Sequence, residues 1–358
     1  MPRVAVVGAG VVGLATTLEI IDAGADVRVY ESEMPGGAQS QGRTRVFRVA
    51  HRDPRLVELA ERSRRAWRDW EDRFRRRLIG DEGLVISGHE TVASWGAAMR
   101  DAGAVHEIID VERAQRLVPV ARPPGETSLF DPAAGATRAR RTVQCLLDAC
   151  RSCVSSAEVV GVENTVSGVR VELSDGVWDC DQAILTAGAG TPELAATAGI
   201  DVNATLINDS RFSYRIQPEY RGHRLSCRFD QSNAFGPNLS SYGQRVGSTG
   251  LYAVGVGWCG GEDLAADEES ELHRRVAARY LPLAYPGLDP VPLDELRCTY
   301  ARVEGLPDDG DGFNARRSGC VTALSGTNLF KFAPLLGRLL SRAALTGELP
   351  AELQLDFA

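Results

Sequence analysis

The first thirty residues limit what this chain can fold into more than any other feature. Arg3 to Val7, RVAVV, is a short apolar run, the pattern of a strand buried in a parallel sheet. Gly8-Ala9-Gly10-Val11-Val12-Gly13 follows, then the helical pattern LATTLEIIDAG, then a second strand from Asp26 to Tyr30 that ends at Glu31. Strand, glycine turn, helix, strand and acid in that order describe a dinucleotide-binding unit. Its glycines let the backbone approach a pyrophosphate at a helix N-terminus, and Glu31 stands where it can accept ribose hydroxyls. The motif does not separate NAD from FAD, while an acid at the end of the second strand argues against NADP. A fold that opens this early, followed by a long interrupted remainder, is common among flavoproteins.

A chain of 358 residues is long enough for a large core and two domains. Its formal net charge of −8 argues against a general nucleic-acid or anionic-membrane binder. With a strand beginning at residue 3 and no apolar run of membrane-spanning length, the chain is expected to be cytoplasmic. Eight cysteines are scattered along it, at 145, 150, 153, 180, 227, 259, 298 and 320. Cys150 and Cys153 form a lone CxxC without the second pair that zinc needs, so no metal is expected.

Residues 36–52, GGAQSQGRTRVFRVAHR, read as a glycine-rich loop entering an extended segment. Asp53 and Pro54 cap a helix whose apolar positions Leu56, Leu59, Ala60, Trp67, Trp70 and Phe74 recur at helical spacing. A short strand at 84–87, helices near 91–102 and 111–117, and a strand, loop and helix across 128–153 follow. Strands are then expected at 158–163, 168–173 and from 182, where QAILTAGAG ends in small residues that let backbone pass near a cofactor. Residues 205–258 are mostly strand-like, a helix runs from Asp267 to Tyr280, and another begins near 333. The fold class that results is α/β and α+β, a Rossmann-like domain interleaved with a mixed-sheet substrate domain. The expected division is 1–50, 135–204 and 297–358 for the first and 51–134 and 205–296 for the second.

Four stretches, GAGVVG, GRTRVFR (42–48), LRCTYARVE (296–304) and TALSGTNLFKFAPLLGRLLSRAALTG (322–347), resemble the monomeric sarcosine oxidase and N-methyltryptophan oxidase group. That group belongs to the D-amino-acid-oxidase-like FAD superfamily. The resemblance runs in order along nearly the whole chain and is thin across 205–295. It implies an FAD-dependent oxidation of a carboxylate-bearing amine, by hydride transfer to flavin N5, giving an imine. Cys298, in Cys-x-Tyr context with Tyr300, would form a thioether to the flavin; read alone, it is one more thiol. Thr44, Arg45 and Arg48 match the group's T-R-x-x-R, with Arg45 against the flavin and Arg48 on the substrate carboxylate. Lys331, between Phe330 and Phe332, would be a second cation on that carboxylate, and it is the only lysine in the chain. The same resemblance puts Gly8, Gly10, Val12, Gly13, Glu31, Ser40, Val160, Ala187, Gly188 and Gly326 against the cofactor. His51 is a candidate for lining the site or tuning the amine's protonation, and Tyr300 and Tyr242 for its walls.

Two departures stand out. The group's oxygen-activating lysine has no counterpart, since Lys331 is already assigned and Ala253 stands at the matching position. Arg45 or Arg245 would have to substitute, or electrons would go to an acceptor other than oxygen. The SGTNLFK loop is one residue longer than the group's, with Asn328 and Leu329 in place of its usual residues. A substrate other than sarcosine, in a specialised biosynthetic pathway, is the expectation. Three competing readings are a dehydrogenase with a non-oxygen acceptor, a flavin-binding protein without amine-oxidising activity, and a nicotinamide dehydrogenase resting on the glycine motif alone.

Overall fold

Strand β1 (Arg3–Val7), helix α1 (Val11–Asp22) and strand β2 (Asp26–Glu31) form where the glycine turn predicts them. They come from a computed structural model that describes residues 1–258, 266–305 and 311–355. Cys259 lies outside the described residues. The chain divides into two units: Met1–Gln41, Arg140–Ile207 and Thr299–Ala358 make the first, Gly42–Ala139 and Asn208–Cys298 the second.

The chain enters the second unit through β3 (Arg45–Phe47), α2 (Pro54–Phe74), β4 (Leu84–Ser87), α3 (His89–Asp101), β5 (Glu107–Ile109), α4 (Val111–Leu117), β6 (Ser128–Asp131) and β7 (Gly135–Thr137). Asp53 caps α2 by accepting the Arg55 N–H at 2.8 Å, with Pro54 at the first helical position. It returns to the first unit through α5 (Ala139–Cys150), β8 (Val154–Ser156), β9 (Val159–Thr165), β10 (Gly168–Leu173), β11 (Gly176–Cys180), β12 (Gln182–Leu185) and α6 (Thr191–Thr197). Strand β13 (Ala204–Arg215) leads back to the second unit, with β14 (Cys227–Asp230), β15 (Leu239–Arg245), β16 (Leu251–Trp258) and α7 (Ala266–Ala284). Strand β17 (Asp294–Val303) then leads to β18 (Gly312–Ser318), β19 (Val321–Thr327) and α8 (Ala333–Thr346).

In the first unit β1 lies at the centre of a sheet ordered β18-β19-β12-β1-β2-β8, parallel except for the antiparallel edge strand β18. Val4 to Val7 are all buried, as a strand covered on both faces requires. Helix α1 packs closely on α8: a Cβ on Gly337 would come within 2.8 Å of the Ala15 backbone. Strands β9, β10 and β11 form a separate antiparallel sheet. The short strands β5 and β11 and helix α6 are not apparent in the sequence pattern; β11 is five residues, GVWDC, directly after a turn.

The second sheet runs β17-β13-β16-β15-β14-β4-β6-β5. Its centre alternates cleanly. Phe212 and Tyr214 pair across from Val254 and Tyr252 on one face, while Arg211 and Ser213 pair across from Gly255 and Ala253 on the other. The first face carries an apolar core that includes Phe212, Tyr214, Tyr252, Val254 and Val256 with Tyr280, Leu281 and Tyr285. The opposite face carries polar groups, and the candidate site in this unit is built there. Among the described residues, no helix is long and apolar enough to cross a membrane.

Candidate functional site

The first unit holds the glycine turn. A Cβ on Gly13 would stand 1.9 Å from the Gly8 carbonyl oxygen, and one on Gly8 would stand 2.6 Å from the Thr186 oxygen. Gly8 also has φ +97°, which only glycine adopts without strain. Gly10 is the N-cap of α1 and offers no side-chain cap. The Val11 N–H instead donates to Ser40 Oγ at 2.9 Å. Glu31 Oε2 accepts the Ala9 N–H at 2.8 Å, which ties the acid to the turn it faces. Val12 is buried in the first turn of α1. Gly188, at φ +61°, and Ala187 follow β12 and are partly buried. Gly326 sits on β19, where a Cβ would meet the Gly312 oxygen at 2.4 Å. Val160, on β9, is exposed.

Lys331 is buried in the single turn before α8 and forms an ion pair with Asp311, which is wholly buried. The other Asp311 oxygen accepts the Asn328 side-chain amide at 2.6 Å. Asn328 adopts left-handed backbone, φ 59°. The lone ammonium of the chain therefore has a carboxylate partner, which the sequence did not indicate. Tyr300 is half-buried on β17, two residues after Cys298 on the same strand face.

In the second unit, Arg48 is buried on an aromatic platform. Its guanidinium lies 4.2 Å over the Trp95 ring and 5.4 Å from that of Phe229, and those rings stack at 5.3 Å. It also donates to the Ala50 carbonyl at 2.5 Å. Fully buried Asp131 accepts the Val49 and Ala50 N–H groups at 2.7 and 3.0 Å, which fixes the backbone after Arg48. Burial pushes the Asp131 carboxyl above its ordinary range, against those N–H bonds and the Arg48 charge. His51 is buried, with Nδ1 2.9 Å from the Val49 oxygen.

The polar sheet face gathers Arg45, Arg211, Asp209, Tyr242 and Cys298. Tyr242 donates to Asp209 at 3.4 Å. Its ring lies across Gly255, where a Cβ would come within 2.3 Å of it. Arg45 and Arg211 both donate to the Thr44 carbonyl, each at 2.8 Å. Thr44 itself is buried, its hydroxyl donating to the Arg245 carbonyl at 3.4 Å. Burial, then the charge of Asp209, hold the Cys298 thiol up, while Arg45 and Arg211 pull it down. Burial raises Asp209, with His273 and Arg211 opposing. Arg245 points its guanidinium at the Arg221 and His223 carbonyls, at 3.0 Å each, and Ala253 is buried opposite Gln244.

The family model described as DAO, FAD dependent oxidoreductase, matches residues 3–343. The chain belongs to this family. An N-methyl-L-tryptophan oxidase from Yersinia pestis (strain Pestoides F) is 23% identical over 241 residues, 64% of this chain. That match spans 62% of the relative's own length. NikD, described as an unusual amino acid oxidase essential for nikkomycin biosynthesis, superposes with a TM-score of 0.81 at 20% identity, over 99% of this chain and 97% of its own. The L-proline dehydrogenase of P. horikoshii does so at 0.81 and 18%, over 98% and 95%. Both structures share the fold. The turn fits the family's cofactor: Gly8, Gly10 and Gly13 bring no side chain to the N-terminus of α1, and Glu31 is held beside it.

Proposed function

We propose that this chain oxidises the C–N bond of a carboxylate-bearing amine, a secondary, N-methyl or cyclic amino acid, to an imine. The observation that carries the reading is the glycine cradle at Gly8, Gly10 and Gly13 with Glu31 tied to it, in a chain of the FAD dependent oxidoreductase family. When bound, FAD would supply the two-electron acceptor that this oxidation needs.

What the protein adds is positioning. Val12, Ser40, Thr44, Arg45, Val160, Ala187, Gly188 and Gly326 are proposed as cofactor contacts, and Cys298 as its covalent attachment point. Arg48 is proposed as the group that reads the substrate carboxylate. Its platform of Trp95 and Phe229 fixes the plane of the guanidinium before any ligand arrives, so little side-chain entropy is lost on binding. Lys331 is proposed as a hydrogen-bond donor to the same substrate class. Because Asp311 cancels its charge, its contribution is directional rather than electrostatic. His51 and Tyr300 are proposed as walls. A cytoplasmic setting and a specialised biosynthetic role, suggested by the altered SGTNLFK loop, belong to the same proposal.

The test is to purify the protein, denature it in acid, and weigh the intact chain. The expected result is a yellow polypeptide carrying the added mass of FAD on the Cys298 peptide, bleached before denaturation by one or more N-substituted amino acids. FAD released by acid removes the role of Cys298 alone. Folded protein without flavin would sink the proposal. Gly13→Ala is expected to lower flavin content at least tenfold, since its Cβ has no space beside the Gly8 oxygen.

One observation favours a second reading, a dehydrogenase with a non-oxygen acceptor. Ala253 presents a methyl group on the polar sheet face where the related oxidases are expected to carry a lysine. Dye reduction far faster than oxygen consumption would select it.

A further inference from the structure

The oxidation proposed above makes a demand that none of its named residues meets. Forming a C=N bond uses the lone pair of the nitrogen, so an amine that arrives protonated has first to lose a proton. Guanidinium groups accept no proton, which excludes Arg48. Asp311 is taken up by Lys331 and Asn328. His51 is fully buried, with Nδ1 against the Val49 oxygen.

Asp209 differs from the other enclosed acids of the second unit. Asp131 accepts backbone N–H groups from Val49, Ala50 and Ala133. Asp230 is paired with Arg228, and Glu295 is engaged with Arg274, Arg297 and Ser210. Asp209 forms no ion pair among the described residues, and the Tyr242 hydroxyl reaches it only at 3.4 Å. It shares a sheet face with Arg211, two residues on, whose partner Gly255 is also the partner of Tyr242. Asp209, Tyr242 and Cys298 are each partly exposed, so this part of the face is not closed by packing. The charged and titratable groups that act on Asp209 are Arg45 from β3, Arg211 from β13, Tyr242 from β15, His273 from α7 and Cys298 from β17. Burial raises its carboxyl, against His273 and Arg211, towards the range in which a carboxylate takes up a proton near neutral pH.

We infer that Asp209 is the general base of the reaction, with the Tyr242 hydroxyl positioning it. An N–H bond of the substrate ammonium breaks and its proton passes to a carboxylate oxygen of Asp209. The electron pair stays on nitrogen and becomes the second bond of C=N. The hydrogen on carbon leaves with its two electrons to the acceptor that the cofactor would supply. This assignment rests on the amine-oxidation reading, and it narrows the substrate class to amines that arrive as ammonium ions.

The experiment mixes the flavin-loaded protein anaerobically with saturating sarcosine, N-methyl-L-tryptophan or L-proline and follows flavin bleaching from about pH 5 to 10. In the parent the bleaching rate should rise as Asp209 ionises and then level off. Asp209→Asn should bleach at least about a hundredfold more slowly at neutral pH, and the deficit should shrink roughly tenfold per pH unit as the amine loses its proton unaided. Asp209→Glu should restore part of the rate. Tyr242→Phe removes a hydrogen bond that holds the carboxyl down, so it should move the rise to higher pH and leave the plateau little changed. A second readout needs no amine. The melting temperature of the parent relative to Asp209→Asn reports the ionisation of the carboxyl itself, and should turn within about one pH unit of the rise in bleaching. Should Asp209→Asn not hold flavin, Asp209→Glu and Tyr242→Phe provide the comparison. A variant that is only less well packed loses rate equally at every pH. An Asp209→Asn profile parallel to the parent's, or a Tyr242→Phe profile that does not move, therefore overturns the assignment and leaves amine oxidation standing. A parent that none of the three amines bleaches overturns both.

Discussion

The two faces of the central sheet in the second unit both bury arginine, and they do so in opposite ways. On the core face, Arg228 pairs with Asp230 at 2.7 Å and donates to the Ala284 carbonyl at 3.0 Å. Tyr280 and Ser232 complete the Asp230 carboxylate, at 2.8 and 2.7 Å. Every charge there has an opposite partner and hydrogen bonds, the condition under which a buried ion pair is tolerated. On the other face, Arg211 stands beside Arg45, and both side-chain amide atoms of Gln244, fully buried, have no hydrogen-bond partner among the described residues. A satisfied buried network reads as structure. Neighbouring cations and orphaned amide atoms on the same sheet do not form such a closed network.

The largest effect expected from this contrast is on stability. Asp230→Ala strands the Arg228 charge in the core and should cost about 3–5 kcal/mol in urea unfolding. The double variant Arg228→Met with Asp230→Leu should recover most of that loss, because no charge is left unpaired. If the double variant is as unstable as the single one, the pair is needed for more than its mutual neutralisation. Arg211→Met should behave unlike Arg228→Met: it should change stability by no more than about 1 kcal/mol, and by a gain rather than a loss. A loss of several kcal/mol would make the two faces equivalent and erase the distinction.

A subtler effect concerns pH. Burial raises the Asp209 carboxyl in the folded state, so the native protein holds a proton that the unfolded chain releases near the ordinary value of 3.8. That contribution to stability is complete below the unfolded value and is lost as pH rises through the folded one. Asp209→Asn cannot ionise, so its stability relative to the parent should improve, by on the order of 1 kcal/mol, as pH is raised from 4 to 7. The smallest effect expected is on the thiol. In chain without covalent flavin, Asp209→Asn should speed alkylation of Cys298 several-fold, since it removes the charge that, after burial, holds the thiol up.

How much of this was readable beforehand follows from the range of the interactions. The glycine turn, α1 and Glu31 were legible because they lie within one supersecondary unit whose pattern is local. Residues 205–258 read as strand-like but without a register, so which face of β13 is polar was not legible. That depends on the pairing of Arg211 with Gly255, 44 residues on, and of Tyr242 with the same residue from the other side, 13 residues on. Nothing in the sequence links Trp95 and Phe229, and only their stacking shows them as the platform for Arg48. Asp311 sits in an acidic, glycine-rich run that carries no periodic signal. Its pairing with the single lysine turns an apparent free cation into half of a neutral pair.

The packing of α1 against α8 also has a bearing on how the chain is made. Glu19 meets Arg338 across 319 residues of sequence, and Gly337 leaves just enough room for the Ala15 backbone. Between them in the sheet, β1 waits for β12 on one side and β12 for β19. A ribosome adding about 5–20 residues per second completes α1 tens of seconds before the helix it packs against exists. The nucleotide cradle is made well before the helix that packs on α1, so α1 passes through the synthesis of everything between them without that cover.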